Sequence, residues 1–104
     1  MQIEHWHADR DGPLNELALR HKLERRGYRI TRAVYSPGMF FPAHAHAEDK
    51  IDAVLSGRFR VTMQGQESVL EAGDLVVVPK HVMHTAEVVG EEPVVGLDGV
   101  RDEP

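Results

Sequence analysis

The pattern of apolar and polar residues changes once along the chain, near Gly27. Before it, Asp11-Gly12-Pro13 is typical of a helix start, with Pro13 as the first helical residue and Asp11 or Gly12 as the cap. Residues 14–26 then contain no helix breaker, and Gly27 is a typical C-terminal stop. We therefore predict one N-terminal helix over residues 14–26.

The predicted helix has apolar residues on two sides. At about 100° per residue, Leu14 and Leu17 fall on one side, whereas Leu19 and Leu23 fall nearly opposite. A helix that packs on a single domain usually needs only one apolar stripe. Leu19 and Leu23 are therefore either exposed or in contact with a second subunit, and the pattern leaves both interpretations open.

After Gly27 the chain consists of short strand-like runs separated by glycine, proline and polar turns. Residues 58–63 alternate between polar and apolar, which is typical of a half-buried strand, whereas residues 75–78 are all apolar and predict a strand covered on both faces. The candidate strands are residues 28–35, 51–55, 58–63, 68–70, 75–78, 85–89 and 94–100. Many short strands at this spacing predict an all-β sandwich or barrel.

The length and composition of the chain exclude several kinds of site and partner. A chain of 104 residues fits a single domain. Its 12 Lys and Arg against 17 Asp and Glu give a charge of -5, which argues against a nucleic-acid partner. It has no cysteine, which excludes disulfides and thiolate metal sites. The N-terminus has no apolar core typical of a signal peptide or membrane anchor, so we expect a cytoplasmic protein.

Three of the seven histidines have an ordered spacing. His44 and His46 are two residues apart, so in an extended strand both imidazoles point to the same side. His84 follows later, after the apolar run 75–78 and a proline turn. Two histidines on one strand and a third on a neighbouring strand supply three nitrogen ligands to one cation and leave positions open, an arrangement expected of a catalytic metal.

Around these histidines the sequence resembles the cupin superfamily, in particular its small single-domain members. The first block resembles the first cupin motif and consists of Gly38, a five-residue gap, His44-Ala45-His46 and Gly57. The second block resembles the second motif and consists of Gly73, a five-residue gap, Pro79 and His84. The resemblance implies a jelly-roll β-barrel over residues 28–104, with the strand and helix of residues 1–27 packed on it. It also implies metal ligands at His44, His46 and His84, and a homodimer.

Two residues depart from the family pattern. Lys50 stands where the usual glutamate ligand is expected, and an ammonium group has no lone pair to give to a metal. His81 replaces a usual glycine, and we expect it to be a solvent-exposed loop residue. If Lys50 points inward it needs a partner, because an unpaired buried charge is costly. Asp52 shares its face in a regular strand, so we predict an inward Lys50–Asp52 ion pair.

Three arrangements of the site remain open. The first is a bare three-histidine site for Fe, Mn, Zn or Ni. The second adds a carboxylate ligand from Glu48 or Asp52. In the third, Lys50 has abolished metal binding and the histidines are ordinary polar residues in an empty pocket.

The predicted function follows from the first two arrangements. We expect a metal-dependent enzyme acting on a small anionic or carbonyl-bearing molecule by dioxygenase, isomerase, decarboxylase or lyase chemistry. Lys50 would anchor an anionic group or carry a proton, with Asp52 or Glu48 holding it in place. The alternative is a non-catalytic cupin module that binds a metabolite or a metal, and a protein whose helix serves as an interaction surface ranks last.

Overall fold

The computed structural model describes residues 1–102. Its two helices are α1 (Ala8–Asp11) and α2 (Glu16–Glu24). Within residues 1–102, its strands are β1 (Gln2–Glu4), β2 (Arg29–Tyr35), β3 (Phe40–His44), β4 (Asp49–Ser56), β5 (Arg58–Met63), β6 (Gln66–Leu70), β7 (Leu75–Val78), β8 (His84–Val89) and β9 (Val94–Arg101). Most of the chain is therefore β-structure, which confirms the predicted all-β class with helical structure at the N-terminal end.

The strands form two antiparallel sheets. The first has the order β1-β7-β4-β9-β2, and the second has the order β3-β8-β5-β6. Every strand pairs antiparallel to its neighbours in these sheets. Strands that are distant in the sequence thus lie side by side, and the cavity described below depends on that.

The apolar side chains form two clusters, one on each side of the five-stranded sheet. The first lies between the two sheets and includes Val54, Val61 and Leu70. The second lies under α2 and includes Leu19, Leu23 and Ile51. Because successive side chains of a strand point to opposite faces, β4 contributes to both clusters. The five-stranded sheet is therefore covered on both faces, and residues 75–78 are buried there almost throughout, as predicted.

The helix starts later than predicted. It begins at Glu16 and its cap is Asn15, whose side chain accepts a hydrogen bond from the backbone N–H of Ala18. The prediction of a start at Pro13 was wrong, because the Asn15 side chain satisfies a free N–H group of the first turn. The helix ends at Glu24, and Gly27 follows with a φ of +92°, which glycine adopts at little cost.

Both interpretations of Leu19 and Leu23 were wrong. These side chains are 0% exposed, and they pack on the sheet of their own chain. Leu17 is instead 62% exposed, while Leu14 precedes the helix and packs against the same cluster. The late helix start explains the error, because Leu14 is not a helical residue and the helix itself has one buried apolar side.

Candidate metal centre

Three imidazole rings converge at one end of the space between the sheets. His44 ends β3 and His84 begins β8, and the two are direct partners in the antiparallel register. His46 lies two residues beyond β3. The ring centroids are 4.3 Å apart for His44 and His84, 4.8 Å for His44 and His46, and 5.3 Å for His46 and His84. One candidate ligand nitrogen from each ring lies within 4.8 Å of the other two.

Two of the rings are oriented by hydrogen bonds to the backbone. Nδ1 of His44 is 2.7 Å from the carbonyl oxygen of Pro42, and Nδ1 of His84 is 3.0 Å from that of Val82. A carbonyl oxygen can only accept, so each Nδ1 carries the proton and donates it. Nε2 then keeps its lone pair, which is the tautomer and the support that metal-binding histidines typically have.

The loop that carries His46 is tied to the loop before β8. The backbone N–H of His81 donates to the carbonyl oxygen of His46 at 2.7 Å. The backbone N–H of Lys80 donates to Oδ1 of Asp49 at 3.0 Å, just beyond the His46 loop. His81 has a φ of +66°, an uncommon backbone conformation for this residue type, and its side chain is exposed as predicted. These contacts hold His46 beside the two strand histidines.

The rings open onto a cavity of about 260 Å³ between the sheets. One part of its wall is aromatic and apolar and consists of Tyr35, Phe41, Phe59 and Ala86. Tyr35 stacks on Phe59 with centroids 5.5 Å apart, and Phe41 meets Tyr35 edge-on at 4.9 Å. The rest of the wall is polar. A mostly apolar pocket with a few convergent polar groups is typical of a small-molecule site.

The polar part of the wall contains Lys50, Asp52 and Asp98 in addition to the histidines. Lys50 Nζ lies 2.7 Å from Oδ1 and 2.8 Å from Oδ2 of Asp98. The predicted pair with Asp52 is therefore corrected: Asp52 shares the face of Lys50, as expected, but the ion-pair partner is Asp98 on β9. The physical reason is the register, which places Asp98 opposite Asp52 and so diagonal to Lys50, within reach of its long side chain.

The sequence profile of the cupin domain family matches residues 31–100. This chain belongs to the cupin family. The matched region contains all three converging histidines and every residue of the cavity wall.

Two curated relatives are gentisate dioxygenases. Gentisate 1,2 dioxygenase 1 of Aquipseudomonas alcaligenes is 27% identical over 79 residues, which cover 69% of this cupin and 23% of that enzyme. Gentisate 1,2-dioxygenase of a Ralstonia species is 32% identical over 63 residues, which cover 60% of this cupin and 18% of that enzyme. This cupin therefore spans less than a quarter of the length of these relatives.

Solved structures share the fold. An RmlC-like cupin from Shewanella frigidimarina aligns with a TM-score of 0.63 and 28% identity, covering 71% of this cupin and 65% of that chain. A DMSP lyase from Ruegeria pomeroyi aligns with a TM-score of 0.66 and 23% identity, covering 74% of this cupin and 39% of that chain. Together with the strand order, these likenesses confirm the cupin fold. Within residues 1–102, neither helix has the length and apolar character that crossing a bilayer requires.

Two of the three histidines, His46 and His84, lie in an environment that favours the neutral imidazole. Burial lowers the pKa of His46, and the nearby charge of Lys50 lowers it further. Burial also lowers the pKa of His84, while its hydrogen bond to Val82 works in the opposite direction. A neutral imidazole is the form that binds a metal ion. The donor set of three converging rings therefore fits a divalent transition metal.

Asp52 and Tyr35 on the cavity wall have pKa values that are raised. Burial raises the pKa of Asp52 well above its ordinary range, and a hydrogen bond to Asp98 and its negative charge raise it further. Lys50 opposes these effects only in part. Burial also raises the pKa of Tyr35 to about 12, with contributions from Asp52 and Asp98. Both shifts favour the uncharged form of the group.

Glu48 does not join the three histidines. Within residues 1–102, the cluster that could hold a metal contains His44, His46 and His84 alone, and Glu48 is also absent from the cavity wall. Asp52 lies on that wall but outside the cluster. The bare three-histidine arrangement thus fits the geometry best, while a carboxylate ligand from Glu48 or Asp52 stays a prediction.

Two titratable residues of the cavity wall, Tyr35 and Asp98, were not predicted from the sequence. Asp98 carries a signal that was available, because it is a lone carboxylate within the apolar run 94–100. A charged residue at such a position is seldom buried without a partner. Tyr35 carries no comparable signal, since an aromatic residue at the end of a strand is usually ordinary core.

Proposed function

We propose that this cupin is a metal-dependent enzyme acting on a small molecule that presents anionic or carbonyl oxygens. The observation that carries the proposal is the convergence of three imidazoles on a cavity with a polar and an aromatic wall. His44, His46 and His84 would hold the ion. A bound divalent ion supplies Lewis-acid chemistry, or dioxygen chemistry if it is Fe(II).

The cavity wall suggests how a substrate is held. Lys50 is the only lysine or arginine among the described residues that line the cavity, and its side chain is 12% exposed. It would attract an anionic group while Asp98 keeps it in place. Phe41 and Phe59 would cover an apolar part of the molecule, because aromatic rings offer a large apolar contact area. The volume of about 260 Å³ limits the substrate to a small molecule.

The proteins that resemble this cupin belong to more than one reaction class. The relatives that share sequence with this cupin are named as dioxygenases, and one structural neighbour is named as a lyase. The chain spans less than a quarter of the length of those dioxygenases, so we do not propose their substrate for this cupin. Oxygenation, isomerisation, decarboxylation and lyase reactions on small carboxylates and carbonyl compounds are the activities to screen.

Elemental analysis tests the metal directly. We expect protein purified without a polyhistidine tag to contain close to one equivalent of Fe, Mn, Zn or Ni, and His44→Ala to lose it. His81→Ala is the matched control, because His81 is exposed and lies outside the three-histidine cluster. Equal and low metal content in all three proteins would overturn the proposal.

A binding module without turnover is the second candidate. It is favoured by the lysine at position 50, where the family resemblance leads one to expect a carboxylate ligand. Such a module would retain the metal and bind small carboxylates, seen as chemical-shift changes at the cavity residues. It would convert none of the screened compounds at a rate above that of His44→Ala.

A homodimer, which rests on the family resemblance, and a cytoplasmic location complete the proposal. The buried Leu19 and Leu23 cannot form the dimer contact, because they pack within their own chain. Sedimentation at micromolar concentration should give the mass of two chains, and the mass of one chain would refute the dimer.

A further inference from the structure

Two carboxyl groups lie side by side on one face of the five-stranded sheet. Asp52 on β4 and Asp98 on β9 are direct register partners, and both side chains line the cavity. Like charges directly opposite each other in an antiparallel pair are destabilising. The pair is therefore not expected to carry two full negative charges.

Lys50, the cation beside the two carboxyl groups, forms its ion pair with Asp98 and not with Asp52. Lys50 Nζ contacts both oxygens of Asp98, at 2.7 and 2.8 Å. Asp98 is thus held as a carboxylate with its charge balanced. Asp52 is left without a cation of its own, since Lys50 is the only lysine or arginine among the described residues of the wall.

The two carboxyl groups are placed to share a hydrogen bond, because Asp52 and Asp98 are register partners and both side chains line the same cavity. Ionised carboxylate oxygens only accept hydrogen bonds, so a bond between two carboxyl groups requires a proton on one of them. Because Lys50 already balances Asp98, that proton belongs mainly to Asp52. Two carboxyl groups that share one proton titrate as a unit.

We propose that Asp52 and Asp98 form a one-proton carboxyl pair, anchored by Lys50, which serves as the proton donor and acceptor of the cavity. Its catalytic part rests on the proposed function, whereas the shared proton does not. Other groups that face the pair are Tyr35 on β2 and the imidazoles of His44, His46 and His84. The pKa of Tyr35 is raised to about 12, so its hydroxyl keeps its proton and adds a second O–H group to the same wall.

The proton transfer balances without any further reactant. The O–H bond of Asp52 breaks, and the proton forms a bond to an oxygen of the bound molecule. Asp52 is then a carboxylate, and Lys50 is shared between the two carboxylates. The proton returns from the product or from water when the cavity empties. A molecule that suits this wall therefore presents an acceptor oxygen, such as a carbonyl or enolate oxygen.

Carbon-13 NMR of the aspartate carboxyl groups tests the pair on metal-free protein. We expect one aspartate signal to remain in the protonated range at pH 7 and to be absent from Asp52→Asn. In Asp98→Asn, the titration midpoint of that signal should fall by at least one pH unit, because the like charge is gone and Lys50 is free to pair with Asp52. Asp9→Asn is the matched control, since Asp9 is exposed on α1, and it should leave the signal in place.

The outcomes separate this inference from the proposed function. All aspartates ionised at pH 7, or an unchanged midpoint in Asp98→Asn, would overturn the shared proton. The same titration on His84→Ala should still show it, even if no metal binds to any form of the protein. In the turnover assay, Asp52→Asn should lower kcat at least about 100-fold with its metal content unchanged. An equal kcat would overturn the role as donor.

Discussion

The cavity has two polar walls, and they are built in different ways. On the wall contributed mainly by the four-stranded sheet, His44 and His84 each take their orientation from a carbonyl oxygen two residues earlier in the chain. On the wall contributed by the five-stranded sheet, Lys50 forms an ion pair with Asp98, which is 48 residues later in the sequence. The first wall depends on local backbone contacts, whereas the second depends on the register between strands.

The two walls also differ in charge. Burial favours the neutral form of His46 and His84, which keeps their lone pairs for a cation. Burial and a like charge favour the protonated form of Asp52, beside a single ion pair. One wall thus offers electron pairs and the other a proton. Substitutions on the second wall should change stability more than substitutions next to the first.

The largest expected effect comes from reversing the charge of Lys50. Lys50→Glu places a third carboxyl group beside Asp52 and Asp98 and removes the one lysine or arginine among the described residues of the cavity wall. We expect the free energy of unfolding at pH 7 to fall by about 3 kcal/mol, in the range for breaking a buried pair. The loss should shrink at pH 5, because protonation relieves the repulsion. Urea denaturation at the two pH values measures it.

The control for this variant is Arg25→Glu, which makes the same charge change at an exposed position after α2. It should cost less than about 1 kcal/mol, the size of a surface charge effect near a helix end. The folded fraction of Lys50→Glu should bind metal at least as well as the wild type, since it gains a carboxylate. A Lys50→Glu protein as stable as Arg25→Glu would show that the second wall does not depend on its ion pair.

A smaller effect, which depends on pH, is expected for Asp52→Asn. The pKa of Asp52 is raised in the folded state, so the folded protein binds the proton more tightly than the unfolded chain does. Wild-type stability should therefore decline as the pH rises above the ordinary aspartate pKa, until the folded-state pKa is reached. Asp52→Asn lacks this loss. As the pH increases, its free energy of unfolding should therefore rise relative to that of the wild type, by at most about 1.4 kcal/mol per pH unit.

Denaturation between pH 4 and pH 8 measures this difference. Asp9→Asn is again the control, and its curve should run parallel to that of the wild type. If the free energy of unfolding of the wild type instead rises with pH relative to that of Asp52→Asn, then Asp52 is ionised in the folded protein, with Lys50 as its partner.

The same contrast explains what the sequence could predict. The three histidines were found because their spacing is local and the two motifs flank them, and the contacts that orient His44 and His84 are also local. The Lys50–Asp98 pair was missed because it depends on the β4–β9 register, which no local pattern encodes. The strand pattern predicted the all-β fold. The helix was placed too early, because the Asn15 cap competed with the signal from Pro13.

A modest gain in stability is expected from a substitution at His81, next to the cavity wall that carries the three histidines (the histidine wall). His81 has a φ of +66°, which costs a residue other than glycine on the order of 1 kcal/mol or more. His81→Gly should therefore stabilise the protein by about 0.5 to 1 kcal/mol, after the greater flexibility of glycine in the unfolded chain is deducted. Metal affinity should stay unchanged, because the contact to His46 is made by the backbone N–H of residue 81.

Thermal denaturation of His81→Gly and His81→Val provides the comparison. The β-branched valine tolerates a positive φ poorly, so it should destabilise the protein while glycine stabilises it. Weaker metal binding by His81→Gly would indicate that the His81 side chain, and not the backbone alone, supports the histidine wall.

The smallest expected effect is at Glu48, and it decides whether the histidine wall needs a carboxylate. Glu48 lies outside the three-histidine cluster. Glu48→Gln should therefore change metal affinity by less than about tenfold, below the 10- to 100-fold typical of residues that support metal ligands. His46→Gln is the matched comparison, since it replaces a predicted ligand with the same side chain. Competition with a chromophoric chelator measures both. If Glu48→Gln weakens binding as much as His46→Gln, the carboxylate arrangement is right and the two walls are less distinct than their geometry indicates.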